Sequence, residues 1–256
     1  MFLIEAEGKR ILHTGDFRRH GFRGKGLIPT LTHYVGQVDV LIIEGTVLSG
    51  SDQSHQTEHE LQNEFRQLLR QYKYVFTICS STNIDRIASL CQATPTGKYV
   101  VGDRYQKEIL DIFERFGGKY SPLYQFDRVR FYASNLHDKM EDRGFCMLVR
   151  GGRFFQRIMN EYREKHNDET MVIYSLWDGY LQQQGNPFES LMNGFDHIIH
   201  LHTSGHADVQ TIIDVCKAVT PRKAIIPIHT TNSKKMSKFG LPYPVEYLED
   251  GQGYIL

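Results

Sequence analysis

Cysteine is scarce in this chain. Its four residues, Cys79, Cys91, Cys146 and Cys216, show no Cys-x-x-Cys spacing. That argues against a zinc ribbon and a disulfide framework and fits a reducing cytoplasm. Long apolar runs are missing too, none approaching the roughly 20 residues of a spanning helix, so a membrane protein is not expected. The opening Met1-Phe2-Leu3-Ile4-Glu5-Ala6-Glu7 has no basic region and no small-residue cleavage site, and does not read as a signal peptide. Charge of one sign is not in excess either: thirty basic and thirty acidic side chains cancel. A nucleic-acid binder usually carries surplus positive charge, so any such contact here must rely on a local groove rather than a global field. We find no internal repeat, no low-complexity tract and no obvious linker. What remains is globular, 40% apolar and 23% charged over 256 residues, enough for one large domain or two ordinary ones.

The apolar pattern predicts alternating strands and helices. Phe2 to Ala6 and Arg10 to His13 are β-prone runs joined at Glu7-Gly8, a hairpin. Residues 19 to 36 read as loop with one short helix. Val38 to Ile43 is a continuous apolar run, as expected of a strand covered on both faces. Thr57-Glu58-His59-Glu60 has capping-box spacing, and Leu61, Phe65, Leu68, Leu69 and Tyr72 follow at helical intervals. Further strands are predicted at Tyr74–Cys79, Lys98–Gly102, Met171–Ser175, His197–His200 and Ala224–Pro227. Helices are predicted from Ile84 to Cys91, from Gln106 to Phe116, over 153–165 and from Asp208 to Val219. The tail from Pro242 to Leu256 reads as two short strands around Asp250-Gly251. The rhythm points to parallel βαβ units and an α/β fold.

Several polar residues fall just past strands. Asp16, in His13-Thr14-Gly15-Asp16-Phe17-Arg18, can bridge divalent ions through its two oxygens, or cap a turn after Gly15. His229, after Pro227-Ile228, is placed as a metal ligand, or as a histidine bonded to backbone. His206, in Ser204-Gly205-His206-Ala207, precedes the best amphipathic helix. The helix start and the Ser204 hydroxyl would suit a phosphate, with His206 stabilising charge or protonating a leaving group; Asp208 or Ser204 could equally cap the helix. Glu44 ends a buried strand and needs a partner, either an arginine or a metal-bound histidine that it orients. Ser80-Ser81-Thr82-Asn83 is an anion site or a cap. Trp177 and Asp178 carry less signal, and His20, His55, His137 and His166 read as surface residues.

The series His-Thr-Gly-Asp-Phe-Arg, Val-Leu-Ile-Ile-Glu-Gly-Thr, Ser-Gly-His-Ala and Ile-Pro-Ile-His-Thr resembles the metallo-β-lactamase fold of the β-CASP group, ribonuclease J and its relatives. The resemblance implies a partial αββα sandwich, residues 1–53 and 196–256, interrupted over 54–195 by a β-CASP-like parallel α/β insert. It implies that Asp16 bridges metal, that His229 binds metal, that Glu44 and His206 are catalytic, and that His206 lies near the scissile phosphate. Ser204 and Gly205, with Ser81 and Thr82 at the insert's first strand-to-helix junction, would face substrate phosphate. A histidine at 229 is similar to the RNA-acting members, which favours RNA. The implied cofactor is a divalent metal, zinc first and manganese second.

No His-x-His-x-Asp-His run occurs in these residues. The expectation is therefore an N-terminally truncated metal-dependent phosphodiester hydrolase that binds metal weakly or not at all and is inactive alone. It would be completed by a missing N-terminal polypeptide or a homodimer, or be truncated by an incomplete reading frame. A split enzyme predicts an exposed apolar edge on the first hairpin. The alternative is a non-catalytic module that binds RNA or protein.

Overall fold

The computed structural model describes residues 1–50 and 56–256. The first half of the chain runs β1 (Phe2–Ala6), β2 (Lys9–His13), α1 (Leu27–Thr30), β3 (Val40–Glu44), α2 (Glu58–Gln71), β4 (Tyr74–Ile78), α3 (Ile84–Ala93), β5 (Tyr99–Gly102) and α4 (Arg104–Phe113). The second half runs β6 (Val129–Phe131), α5 (His137–Arg143), β7 (Phe145–Val149), α6 (Arg153–His166), β8 (Thr170–Tyr174), α7 (Phe188–Met192), β9 (Ile198–His200), α8 (Val209–Val219) and β10 (Ala224–Ile228). Two compact units result. One joins Met1–Gln56 to Ser204–Leu256, and the other is Thr57–Thr203. The expected boundary at 53/54 lies outside the described residues, as does His55. At the other end β9 pairs in parallel with β8, so the second unit runs past the expected boundary at 195.

The first unit holds a four-stranded sheet in the order β1-β2-β3-β10. Glu7 and Gly8 both have positive φ, the geometry of a two-residue type I′ turn, and Ala6 faces Lys9 across the hairpin. β2, β3 and β10 are mutually parallel. Leu12, Leu41, Ile43 and Ile225 pack on one face against Ile212, Val215, Cys216 and Val219 of α8. The other face carries Val40, Ala224 and Ile226, with Leu248, Tyr254 and Leu256 of the tail packed on it. That tail forms no strands. A single bridge joins Val245 to Ile225, because Pro242 and Pro244 limit a ladder there. β1 is an edge strand with Phe2 and Ile4 exposed.

Asp39, buried just before β3, anchors this unit. Its carboxylate accepts from the Arg10 backbone N–H at 2.9 Å and from Arg222 at 2.8 Å. These contacts, the Arg10 N–H first, hold its pKa below the ordinary 3.8, against the opposing effect of burial. A lowered folded-state pKa contributes stability that is complete above the unfolded value and fades as pH falls through the folded one. Acid titration of unfolding should therefore show stability dropping below about pH 4. In Asp39→Asn that drop should be shallower and stability at neutral pH lower. An unchanged acid limb would count against this role.

The second unit is a six-stranded, all-parallel sheet in the order β6-β5-β7-β4-β8-β9. The capping box at Thr57 and Glu60 is formed and starts α2. α6 and α7 cover one face, with Phe155, Ile158, Met159 and Tyr162 against Tyr74, Phe76, Phe145 and Val172. β7, a buried inner strand, went unpredicted, although Phe145–Val149 is a five-residue apolar run between Gly144 and Gly151-Gly152. His137 and His166 are half-buried beside Tyr162 rather than free on the surface. Among the described residues no helix is long and apolar enough to cross a membrane.

Candidate metal centre

Parallel pairing brings the polar residues to one edge of the first unit's sheet. Ile228 lies opposite Glu44 and His13 opposite Ile42, so the segments leaving β2, β3 and β10 emerge side by side. Thr14 continues the ladder, donating its N–H to the Ile42 carbonyl at 2.9 Å. The chain then turns at Gly15, whose positive φ suits glycine, and presents Asp16. After β10, His229 also takes a positive φ of 56°, a costly conformation for a residue with a side chain and one that clusters at functional sites.

Asp16, His206 and His229 each offer a ligand atom, and these atoms lie within 4.8 Å of one another. Among the described residues they are the one such group of three or more. His229 Nδ1 donates to Asp16 Oδ1 at 2.8 Å. The His206 and His229 rings stand 5.5 Å apart, nearly perpendicular. Asp16 and His229 are half-exposed, which leaves the cluster open to solvent. One carboxylate and two imidazoles suit zinc or another first-row divalent ion, with a position left for water.

Beneath it Glu44 is wholly buried. Its Oε1 accepts from the backbone N–H of Phe17 at 2.8 Å and of Ala207 at 3.3 Å, and its Oε2 accepts from His206 Nδ1 at 2.8 Å. This bond is the main reason the His206 pKa lies above the usual 6.5. Partial burial opposes it, and the charges of Glu44 and Asp16 add to it. The partner Glu44 needed is thus a histidine and not an arginine, and Nε2 of His206 is the ring nitrogen left for a ligand.

Ser204 and Gly205 sit beside His206 in the loop before α8. The Ser204 Oγ accepts from the His206 N–H at 3.0 Å, while Asp208 caps α8 by accepting from Thr211 N at 2.6 Å. Ser81 and Thr82 belong to the second unit, after β4. There the Ser80 and Thr82 hydroxyls bond at 3.0 Å, and Asn83 caps α3. Three residues near the centre escaped sequence reasoning. Thr46 Oγ1 lies 3.2 Å from His206 Nδ1, and the buried Thr14 hydroxyl accepts from Glu44 N at 3.3 Å. His20, expected on the surface, is buried and donates from Nε2 to the Ser204 carbonyl at 2.6 Å. Thr14 and Thr46 stand inside the motifs already quoted, which was the available signal; His20 had none.

Residues 196–237, which include His206, α8, β10 and His229, match the family model of the Zn-dependent metallo-hydrolase RNA specificity domain. The match supports the metallo-β-lactamase superfamily, a divalent metal with zinc foremost, and a connection with RNA. A crystal structure of a protein of unknown function from Enterococcus faecalis V583 is similar in fold, with a TM-score of 0.64 at 18% identity. The similarity covers 96% of this chain and 58% of that one. No curated protein matches the chain.

Proposed function

We propose that the chain belongs to a metal-dependent phosphodiester hydrolase acting on RNA, of the β-CASP and ribonuclease J kind. The first unit would be part of the αββα core, and Thr57–Thr203 the insert. The observation that carries this reading is the convergence of Asp16, His206 and His229 within 4.8 Å at the carboxyl edge of parallel strands. A divalent ion bound there supplies Lewis-acid polarisation of a phosphoryl oxygen and acidifies water. Asp16 and His229 would hold it, and His206 would complete the donor set. This reassigns His206 from the phosphate side, where the resemblance put it. Glu44 fixes the His206 ring and raises its basicity, as carboxylate partners of ligating histidines do. The RNA preference draws on the matched RNA specificity segment and on a histidine at 229.

Three donors are fewer than a two-ion centre uses, so slow or undetectable turnover is expected from these residues alone. Ion-dependent retention of RNA is the sharper readout. In gel-shift titrations, zinc should tighten binding of single-stranded RNA relative to a chelator, and Asp16→Ala should remove that difference. Equal binding with zinc, with chelator and in the variant would contradict the proposal.

A further inference from the structure

The chain has a single tryptophan, Trp177, and it stands 60% exposed beside Tyr180, itself 42% exposed. The two rings meet edge to face with centroids 5.6 Å apart. Water is an unfavourable place for a large ring, yet the loop after β8 holds this one there by several bonds. The Trp177 carbonyl accepts from the Tyr174 hydroxyl at 3.1 Å and from the Tyr180 N–H at 3.0 Å. Asp178 accepts from His200 Nδ1 at 2.8 Å, which ties the loop to β9. Beneath the indole lies Gly179, where a Cβ would fall on the six-membered ring. The ring is therefore pre-set on a bonded loop, with little ordering cost left for binding.

We propose that Trp177 and Tyr180 form a stacking platform for bases of single-stranded RNA; the choice of RNA rests on the functional reading above. Four observations point to that occupant. The platform lies at the carboxyl ends of parallel strands, where open α/β sheets bind ligands. The same edge, after β7 and β5, carries a second planar pair, with the Arg150 guanidinium 4.8 Å from the centre of the exposed Tyr105 ring; such surfaces stack bases. The segment matched to the RNA specificity model includes His200, the residue that clasps Asp178. Finally, a formal net charge of zero supplies no general attraction for phosphates, so affinity for a single strand has to come from local contacts, among which stacking on exposed rings is sequence-tolerant.

Because Trp177 is the only tryptophan, its fluorescence reports on this site alone. Oligouridylate titrated into the chain in chelator, so that the metal centre contributes nothing, should quench that emission saturably. Anisotropy of the labelled oligomer should show Trp177→Ala and Tyr180→Ala weakened about tenfold each. Trp177→Phe should retain most of the affinity. Gly179→Ala, which displaces the indole without removing it, should behave like Trp177→Ala, and thermal melting should be unchanged in Trp177→Ala. Because the titration is run in chelator, its outcome does not depend on zinc, which separates failure of the platform from failure of the metal reading. No binding in chelator, binding without quenching, or wild-type affinity in the alanine variants would overturn the proposal, the last two moving the rings to a protein contact.

Discussion

Arg86→Met should destabilise the second unit by about 3–5 kcal/mol, the usual cost of breaking a buried ion pair from one side. Arg86 on α3 and Glu58 on α2 are both wholly buried, with Nε to Oε1 at 2.8 Å. Ser89 donates to the same carboxylate at 2.8 Å. The guanidinium also donates to the Ser175 hydroxyl and, at 3.3 Å, to the Leu201 carbonyl, and it lies over the Phe65 ring. One side chain thus ties two helices to the segments following β8 and β9. Removing it takes the guanidinium away from the buried Glu58 carboxylate. Removing both charges avoids that penalty, so Arg86→Met with Glu58→Leu should recover most of the loss. Denaturant unfolding of the single and double variants decides this. A loss below about 1 kcal/mol in Arg86→Met would show that the pair carries no such weight.

Glu44→Ala should lower zinc affinity by about 10–100-fold, the range for losing the outer partner of a ligating histidine. It should also cost about 2–4 kcal/mol of stability, because the Phe17 and Ala207 N–H groups lose their acceptor. Glu44→Gln separates the two effects. Its amide oxygen can still accept, so the stability loss should be smaller, while the His206 ring loses the charge that raises its pKa. The sign follows from linkage: a raised folded value gives stability that is full below the ordinary histidine value near 6.5 and is lost as pH rises through the folded value. The metal-free chain should therefore lose stability on going from pH 6 to 8, and Glu44→Gln should lose less over the same span. Zinc affinity unchanged in both variants would remove Glu44 from the centre.

Most strands were legible because an apolar run bounded by polar turns has few other readings. β3, β4, β8 and β10 fall within a residue or two of expectation. β7 was not, since it lies in a stretch crowded with arginine and aromatics, where the run of five apolar residues was masked by its surroundings. The tail differs in the opposite way: two short strands are expected around Asp250-Gly251, but among the described residues no strand pairs with the tail beyond the bridge at Val245. At the centre, strand ends marked Asp16, Glu44 and His229, yet no spacing rule brings Asp16 within 2.8 Å of a residue so distant in the chain. Pairing of β2 and β10 with the two sides of β3 does that. Nor could the Ser204 hydroxyl be assigned between phosphate and backbone from sequence; it is bonded to His206 N.

Calorimetric titration of zinc into the chelator-stripped chain tests the centre most directly. The expected result is about one equivalent per chain, weakly held, as three donors and a water fill one four-coordinate site. That binding should disappear in Asp16→Ala and in His229→Ala. No zinc uptake by the wild-type chain, or the same uptake in both variants, would contradict the assignment of Asp16, His206 and His229 as the metal centre.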